Sequence, residues 1–224
     1  MNSELLNWAE SALKNLVIMN KLYEFDSALR TDFPVICGAD EAGRGPLCGP
    51  VCCAAVILPA DFQCEDINDS KKISEKKREK LYDIIIQNAI AYSVVMVPPA
   101  EIDRINILNA SLEGMKKAVQ NLGTEPDIVL IDGNKVPSGM NFRTESVVKG
   151  DATSMSIAAA SILAKVSRDR YMEQLDKEYP QYQLSKHKGY PTKLHYELIA
   201  EHGIQSFYRK SFFTKRPELL WTKD

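Results

Sequence analysis

Short apolar runs alternate along this chain with stretches in which apolar residues recur at helical spacing. Runs of four to eight residues rich in apolar and β-branched side chains, bounded by glycine, proline or polar residues, are typical of buried strands. Five segments are predicted as strands on this basis: residues 34–37, 51–58, 91–97, 127–132 and 143–148.

The segments between these runs carry helical signals. Ser74 and Thr192 are suited to begin helices, and Gly123 and Gly203 to end them. The predicted helices span residues 3–22, 74–88, about 100–105, 107–122, 154–175 and 192–203. Strands that alternate with helices indicate an α/β sheet covered by helices. A length of 224 residues is enough for one sizeable core.

Composition is that of an ordinary globular protein, with 45% hydrophobic and 26% charged residues. A net charge of only -2 argues against non-specific coating of nucleic acid. Between residues 180 and 216, however, seven basic side chains face two acidic ones. This imbalance predicts either a local basic patch or an ordinary solvated face.

The cysteines favour a reducing compartment. Five cysteines form an odd set with no C-x-x-C pair, which suits neither zinc nor a disulfide framework. They are expected to be free thiols, most of them buried. No apolar run approaches the roughly 18 to 20 residues of a membrane helix. The sequence thus predicts a cytoplasmic protein with no membrane association.

Four acidic residues stand at or just beyond the end of an apolar run and next to a glycine. They are Asp40, Glu41, Asp132 and Asp151. Ligands of open α/β sheets bind outside the carboxyl ends of strands, so these acids are expected to converge there. Clustered carboxylates raise one another's pKa unless a cation neutralises them. Oxygen ligands without cysteine or histidine favour Mg²⁺ or Mn²⁺, and two such ions can promote phosphodiester hydrolysis.

Each acid also has a purely structural interpretation. The octet 38–45 that contains Asp40 and Glu41 is compatible with a hairpin turn that exposes both acids. Asp132 precedes Gly133 in a dipeptide common in hairpin turns. Asp151 lies just before a predicted helix, where it could act as a cap. On a regular strand, adjacent side chains such as Asp40 and Glu41 point in opposite directions.

Other familiar motifs are missing from the sequence. The glycines after residue 42 miss the G-x-G-x-x-G spacing by one residue, and no G-x-x-x-x-G-K-[ST] occurs. His187, His195 and His202 have no serine elbow or catalytic cysteine context, which argues against a triad hydrolase.

Six ordered motifs are similar to those of bacterial ribonuclease HII, the type 2 ribonuclease H, over roughly residues 35–212. They are Asp40-Glu41-Ala42-Gly43-Arg44-Gly45-Pro46, Asn68-Asp69-Ser70-Lys71, Ile131-Asp132-Gly133-Asn134, Val148-Lys149-Gly150-Asp151, Ala159-Ala160-Ser161-Ile162-Leu163-Ala164-Lys165 and His187-Lys188-Gly189-Tyr190-Pro191.

The resemblance implies an RNase H-like fold with a five-stranded mixed sheet, flanking helices and a helical C-terminal region. It implies hydrolysis of the RNA strand of RNA/DNA hybrids and incision 5′ of single ribonucleotides embedded in duplex DNA. Catalysis would use two divalent ions, Mg²⁺ or Mn²⁺, and leave 5′-phosphate and 3′-hydroxyl ends. The metal-binding and catalytic acids would be Asp40, Glu41, Asp132 and Asp151.

The resemblance also implies substrate contacts. Gly43, Arg44 and Gly45 correspond to a turn that reads the RNA–DNA junction, and Tyr190 to the residue that senses the 2′-hydroxyl, the group that distinguishes RNA from DNA. Further substrate contacts, chiefly to phosphates, are assigned by position in the motifs to Ser70, Lys71, Lys149 and Lys165.

The implied organisation is a single domain in three parts. Residues 1–30 form an N-terminal helical extension, 31–178 the catalytic core and 179–224 a helical substrate-contacting region packed on the core. The protein is expected to act as a monomer on RNA/DNA hybrids and ribonucleotide-containing duplex DNA. Two alternatives remain open: a non-catalytic hybrid-binding module, and a carboxylate-based exonuclease of the same broad fold.

The chain departs from the family pattern near its C-terminus. Tyr208 replaces a histidine common in relatives, and Phe213-Thr214 replaces glycine and proline. These changes affect the expected C-terminal substrate contacts but not the metal site. The segment 205–213 resembles a sliding-clamp binding box, but its aromatic pair is one residue out of register, so core packing is predicted.

Overall fold

The structure is a computed structural model that describes residues 21–64, 66–67 and 73–220. Within these residues one sheet contains five strands, which are β1 (Ile36–Ala42), β2 (Val51–Ile57), β3 (Ala91–Val97), β4 (Ile128–Asp132) and β5 (Arg143–Val147). The sheet order is β3-β2-β1-β4-β5. The pairs β1–β2 and β2–β3 are antiparallel, whereas β1–β4 and β4–β5 are parallel. The predicted five-stranded mixed sheet is confirmed, with β1 at its centre.

Helices flank the sheet and form the C-terminal region. In the described part of the chain they are α1 (residues 21–29), α2 (Glu75–Asn88), α3 (Pro99–Ile105), α4 (Ile107–Gln120), α5 (Met155–Glu178), α6 (Leu184–His187) and α7 (Lys193–His202). Short 3-10 helices cover Gly150–Ala152, Pro180–Tyr182, Lys210–Phe213 and Pro217–Leu220. The predicted helix over residues 3–22 lies outside the described residues except for its last two. Its predicted end is wrong, because α1 continues to residue 29.

The two faces of the sheet are covered by different helices. On one face, α5 packs closely against β1, since its Ala158, Ala159 and Ala160 are fully buried and small. At Gly38 a Cβ atom would lie 2.2 Å from the backbone carbon of Ser156, so only glycine allows this approach. On the other face, apolar residues of α4 pack against those of β2. The prediction of a sheet covered by helices is therefore confirmed.

The central strand is longer than its apolar run suggests. The prediction placed a strand over residues 34–37 and a turn over 38–45, but β1 continues through Ala42. Antiparallel pairing to β2 joins every residue from Cys37 to Ala42 to a partner, which keeps this segment extended. Asp40 and Glu41 therefore lie within the strand, and their interpretation as part of a hairpin turn is wrong.

The C-terminal region packs on the core through its aromatic residues. Phe207, Tyr208 and Phe213 are buried in a cluster that includes Leu47 and Met172. The prediction that segment 205–213 serves core packing is confirmed. Tyr208, which departs from the family pattern, lies inside this cluster with its hydroxyl 3.1 Å from His195 Nε2.

The burial of the cysteines agrees with the sequence prediction. All five cysteines are free, and four of them are buried. In the part of the chain that the structure describes, no helix is both long enough and apolar enough to cross a membrane.

Candidate active site

The two acids of β1 face different surroundings because consecutive strand residues point to opposite sides. Asp40 is only 5% exposed, and its carboxylate accepts a hydrogen bond from the Ser161 side chain on α5. Its Oδ1 also accepts from the backbone N–H of Glu41 at 2.6 Å. Glu41 is partly exposed and carries an ion pair with Arg44, with 3.3 Å between Oε1 and Nη1. One acid is therefore fixed in the interior and the other borders solvent.

Asp132 ends β4, the parallel neighbour of β1. The register pairs Ala39 with Ile131, so Asp132 and Asp40 extend past the same point of the two strands. The backbone N–H of Gly150 donates to Asp132 Oδ1 at 2.6 Å and orients the carboxylate. The hairpin interpretation of Asp132-Gly133 is wrong, because the next strand, β5, runs parallel to β4 and not back along it.

Asp151 lies in the 3-10 helix Gly150–Ala152 and is 8% exposed. The loop comes so close to β4 that a Cβ at Gly150 would lie 3.1 Å from Asp132 Oδ1. The capping role considered for Asp151 belongs instead to Ser154, whose side chain accepts from the N–H of Ile157. The structure thus gives Asp151 a position beside the end of β4 and no role as the cap of α5.

The electrostatics of Asp40 reflect this crowding. Burial raises the pKa of Asp40 well above its ordinary value, and the nearby charges of Glu41 and Asp132 raise it further. The hydrogen bonds from Ser161 and from the Glu41 N–H act in the opposite direction. A bound divalent cation would relieve both the burial and the repulsion of these carboxylates.

The donor set fits a hard divalent metal in type, since its members are carboxylates. Among residues 21–64, 66–67 and 73–220, no three Asp, Glu, His or Cys side chains converge closely enough to hold an ion unaided. Carboxylates are ligands that suit Mg²⁺, which is usually held by one or two of them together with waters and substrate phosphates. The residues therefore fit such a metal in donor type, and the four-acid assignment stays a prediction.

A pocket of about 250 Å³ lies next to these acids. Its lining comes from β1, the turn after it, α5 and the loop before α7: Glu41, Ala42, Gly43, Arg44, Gly45, Ser161, Lys165 and Tyr190. The structure thus brings together five of the residues predicted for substrate contact with one of the predicted metal ligands.

The turn and the tyrosine face each other across this pocket. Gly43 has a φ of +92°, which favours glycine and sets the direction of the turn. A Cβ at Gly45 would lie 3.7 Å from Tyr190 Cε1, so the turn backbone and the aromatic ring are neighbours. Tyr190 is 43% exposed, which is inconsistent with simple packing beside Pro191.

Two stacked histidines hold the backbone at Tyr190 in place. His195 Nδ1 is hydrogen-bonded to the Tyr190 carbonyl oxygen at 2.9 Å, and its ring stacks on His187 with 4.1 Å between centroids. Burial, together with His187, lowers the pKa of His195 to about 4. A neutral, buried imidazole that bonds to the backbone has a structural role, in agreement with the prediction against a triad hydrolase.

The predicted phosphate contacts differ in placement. Lys165 lines the pocket and pairs with Asp169 at 2.6 Å. Lys149 is exposed, with a φ of +56°, and does not line the pocket. Ser70 and Lys71 lie outside the described residues. Their proposed roles stay predictions.

The C-terminal basic patch is smaller than the residue count suggests. Arg209 is fully buried, and Lys188 is mostly buried and pairs with Glu173 at 2.6 Å. Arg216 and Lys193 also have acidic partners close to them in sequence. Neutralising pairs and burial therefore remove much of the predicted positive surface.

Sequence reasoning assigned no role to three residues that support the site, namely Ser161, Arg168 and Arg209. Ser161 had a usable signal, because it precedes Lys165 by one helical turn and must share its face of α5. No local sequence pattern points to Arg168 or Arg209, since their backbone partners are distant in sequence.

Comparisons with known proteins agree with this geometry. The family model described as Ribonuclease HII matches residues 37–215. The ribonuclease HII of Caldicellulosiruptor bescii is 51% identical over 187 residues, which cover 84% of this chain and 90% of that protein. The ribonuclease H2 structure from Pyrococcus horikoshii OT3 has a TM-score of 0.72 at 26% identity and covers 83% and 97% of the two chains. The RNase HII from Archaeoglobus fulgidus, solved in a complex with PCNA, has a TM-score of 0.66 at 27% identity and covers 78% and 93%.

The mixed five-stranded sheet with its flanking helices places the chain in the RNase H-like class, and the matched family is more specific. The chain belongs to the ribonuclease HII family. It is accordingly a metal-dependent endoribonuclease, and family membership implies cleavage of RNA/DNA hybrids.

Proposed function

We propose that this enzyme hydrolyses the RNA strand of RNA/DNA hybrids and incises duplex DNA 5′ of a single embedded ribonucleotide. Cleavage uses two divalent ions, Mg²⁺ or Mn²⁺, and leaves 5′-phosphate and 3′-hydroxyl ends. The observation that carries the proposal is the shared pocket, which places a metal-ligand candidate, a glycine turn and Tyr190 around one space.

The acids hold the reaction centre in this account. Asp40 is fixed by Ser161 and by the strand backbone, and Asp132 by the N–H of Gly150, so both are oriented before substrate arrives. Asp151 and Glu41 complete the set from the loop after β5 and from the pocket wall. When bound, the ions supply activation of the attacking water and neutralisation of charge on the departing 3′-oxygen.

The turn and the tyrosine provide the selection for RNA. The backbone of Gly43 to Gly45 and the Tyr190 side chain border the same space, so a 2′-hydroxyl placed there meets polar groups from two sides. A hydroxyl that both donates and accepts is recognised in this way, and a deoxyribose leaves those groups without a partner. Lys165, Lys149, Ser70 and Lys71 contact the phosphates and set register without reading bases.

We also propose that the enzyme acts as a monomer. Five free thiols are typical of a reducing compartment, which supports the cytoplasm as its location.

A covalently closed circular DNA duplex that contains one ribonucleotide tests the proposal. The wild-type protein is expected to nick this circle with Mg²⁺ or Mn²⁺ and to leave it closed in EDTA. A circle without the ribonucleotide is the matched control and stays closed. No nicking in any metal would contradict the proposal. An exonuclease would spare the closed circle and degrade linear DNA, whereas a binding module would retard the circle equally in EDTA.

The four-acid assignment has its own test. Asp132→Asn and Asp151→Asn are each expected to lower the nicking rate at least about 1,000-fold, because several kcal/mol of charge stabilisation is lost. The exposed Asp61 provides a control, and Asp61→Asn is expected to retain wild-type activity. Circular dichroism checks that all three variants fold. Retained cleavage by either site variant would contradict the assignment.

A further inference from the structure

Two buried arginines lie next to the proposed substrate pocket but do not line it. Arg168 on α5 is 1% exposed, and Arg209 in the C-terminal region is fully buried. An isolated buried charge is costly unless it is hydrogen-bonded. Both guanidinium groups meet this requirement through three hydrogen bonds each to backbone carbonyl oxygens. These carbonyls belong to the segments that carry the proposed RNA-selecting residues.

Arg209 binds the glycine turn from beneath. Its Nη2 donates to Gly43 O at 2.7 Å, its Nη1 to Arg44 O at 3.0 Å and its Nε to Gly49 O at 2.9 Å. Its own backbone N–H donates to Leu47 O at 2.9 Å. Four hydrogen bonds from one residue therefore fix the path of segment 43–49.

Arg168 joins this segment to the one that carries Tyr190. Its Nε donates to Pro50 O at 3.1 Å and its Nη2 to Cys48 O at 3.3 Å. Its Nη1 donates to Lys188 O at 3.0 Å, two residues before Tyr190. The side chain also packs under the turn, since a Cβ at Gly43 would lie 2.0 Å from Arg168 Nε.

The geometry of these bonds requires guanidinium groups. Arginine presents five N–H donors in a rigid planar fork, whereas the lysine ammonium is a compact charge that cannot span three separated carbonyls in the same way. Burial and the neighbouring Arg168 lower the pKa of Arg209 to about 9, so Arg209 remains charged at neutral pH. Neither guanidinium lines the pocket, and their described hydrogen bonds all go to backbone carbonyl oxygens, which gives both groups a geometric role.

We propose that Arg168 and Arg209 are positioning residues that fix the Gly43–Gly45 turn relative to Tyr190 and thereby determine selectivity for an isolated ribonucleotide. The inference rests on the proposed function, in which the turn and Tyr190 sense the 2′-hydroxyl together. A uniform RNA/DNA hybrid presents a ribonucleotide in every register, so a displaced turn still meets one. A duplex with one ribonucleotide offers a single register, and displacement of the turn is most damaging there.

The test compares kcat/KM on these two substrates for each enzyme preparation. Arg209→Lys and Arg168→Lys are expected to lower kcat/KM on the one-ribonucleotide duplex about 100-fold, the loss typical of a 1 Å misplacement. Their kcat/KM on the uniform hybrid falls about tenfold or less. The ratio of the two values is independent of the folded fraction, so a merely structural defect does not move it.

Arg216→Lys is the matched control. Arg216 lies in the same C-terminal region, but it pairs with Glu218 and stacks on Tyr196, away from the turn. Its substrate ratio is expected to equal that of the wild type. If the lysine variants do not fold, Gly43→Ala provides a second test, because its added Cβ would clash with the Arg168 side chain and displace the turn. The same fall in the ratio of kcat/KM on the two substrates is expected.

Each outcome is decisive. A wild-type ratio in Arg209→Lys and Arg168→Lys, or in Gly43→Ala if the lysine variants do not fold, overturns this inference and leaves the proposed function intact. A wild-type enzyme that cleaves the hybrid but never incises at the single ribonucleotide overturns the proposed function and the inference with it. A fall in the ratio for these variants, with Arg216→Lys unchanged, supports the positioning role.

Discussion

Asp40 lies near the middle of the sheet with a carboxylate that is almost inaccessible to water. Its pKa is raised above the ordinary value of 3.8 by burial, by Glu41 and by Asp132. The folded protein therefore binds a proton at Asp40 more tightly than the unfolded chain does. As pH rises from 3.8 towards the raised pKa of Asp40 in the folded protein, the metal-free fold loses stability relative to the unfolded chain. Asp40, which is proposed to bind metal, is thus a residue whose charge destabilises the metal-free fold.

Asp40→Asn is expected to abolish cleavage and to stabilise the metal-free protein at pH 8. The amide retains an acceptor for the Ser161 and Glu41 hydrogen bonds and cannot ionise, so the variant escapes the destabilisation that ionisation of Asp40 causes as pH rises. A gain of about 1 kcal/mol would raise Tm by roughly 2 to 4 °C in EDTA. Thermal unfolding followed by circular dichroism measures the gain, with exposed Asp32→Asn as the control. The Tm difference between Asp40→Asn and wild type is expected to be larger at pH 8 than at pH 5. A smaller difference at pH 8 would contradict this electrostatic account.

His195 gives a pH dependence of opposite sign. Its pKa is about 4 in the folded protein against an ordinary 6.5, so protonation favours the unfolded chain. The stability contributed by neutral His195 is present above pH 6.5 and is lost as pH falls towards 4. With about 1.4 kcal/mol per pH unit, the loss approaches about 3 kcal/mol.

His195→Asn removes this titration while keeping an N–H group near the Tyr190 carbonyl. The variant is expected to be less stable at pH 7 and to lose less stability than wild type between pH 6.5 and 4.5. Urea unfolding at several pH values measures the slope. His202→Asn, at the more exposed end of α7, is expected to keep the wild-type slope. Equal slopes for wild type and His195→Asn would show that His195 does not govern the acid sensitivity.

At the scale of elements, the packing of α5 on β1 places the site. Gly38 lies two residues before Asp40 on β1. The two elements approach so closely that Gly38 faces the backbone of Ser156 on α5. The same helix carries Ser161, which bonds to Asp40, Lys165, which lines the pocket, and Arg168, which packs under Gly43 of the turn. A shift of α5 therefore moves three parts of the site at once.

Gly38→Ala is expected to separate these elements, because the added Cβ would meet backbone atoms at 2.2 to 2.4 Å. Overpacking of this kind costs about 3 kcal/mol or more, since backbone cannot rotate away. Gly123→Ala is the control: its Cβ meets nothing within 4 Å, and its positive φ costs about 1 to 2 kcal/mol. Urea unfolding compares the two. A Gly38→Ala cost no larger than that of Gly123→Ala would contradict the packing argument.

At the scale of the whole molecule, the sequence predicted the strands, their helices and the acids, and it missed contacts that depend on sheet order. Apolar runs located β2 and β4 well because both are buried. The end of β1 was wrong because Gly38, Asp40 and Glu41 are polar or small, and their extended conformation comes from pairing with β2. The parallel arrangement of β4 and β5, which overturned the hairpin interpretation of Asp132-Gly133, is likewise a tertiary property.

The sequence predicted candidate site residues where a motif contains chemically informative residue types. It did not predict the residues that only hold the site in place. Asp132 and Tyr190 were predicted as site residues because their residue types and positions in the motifs are informative. Arg209 was counted among bases expected to form either a basic patch or an ordinary solvated face, because a basic residue is usually exposed. Its bonds to Gly43 and Arg44 join positions more than 160 residues apart, which no local pattern reveals.

The central proposal is that the predicted metal-binding acids cut the substrate beside a pocket in which the Gly43–Gly45 turn and Tyr190 select RNA. Mapping the cut at single-nucleotide resolution in a duplex with one ribonucleotide tests this claim most directly. The account predicts, with Mg²⁺ or Mn²⁺, one cut immediately 5′ of the ribonucleotide, with 3′-hydroxyl and 5′-phosphate ends, and no cut in EDTA. Cuts scattered through the flanking DNA, or the same cut in EDTA, would contradict it.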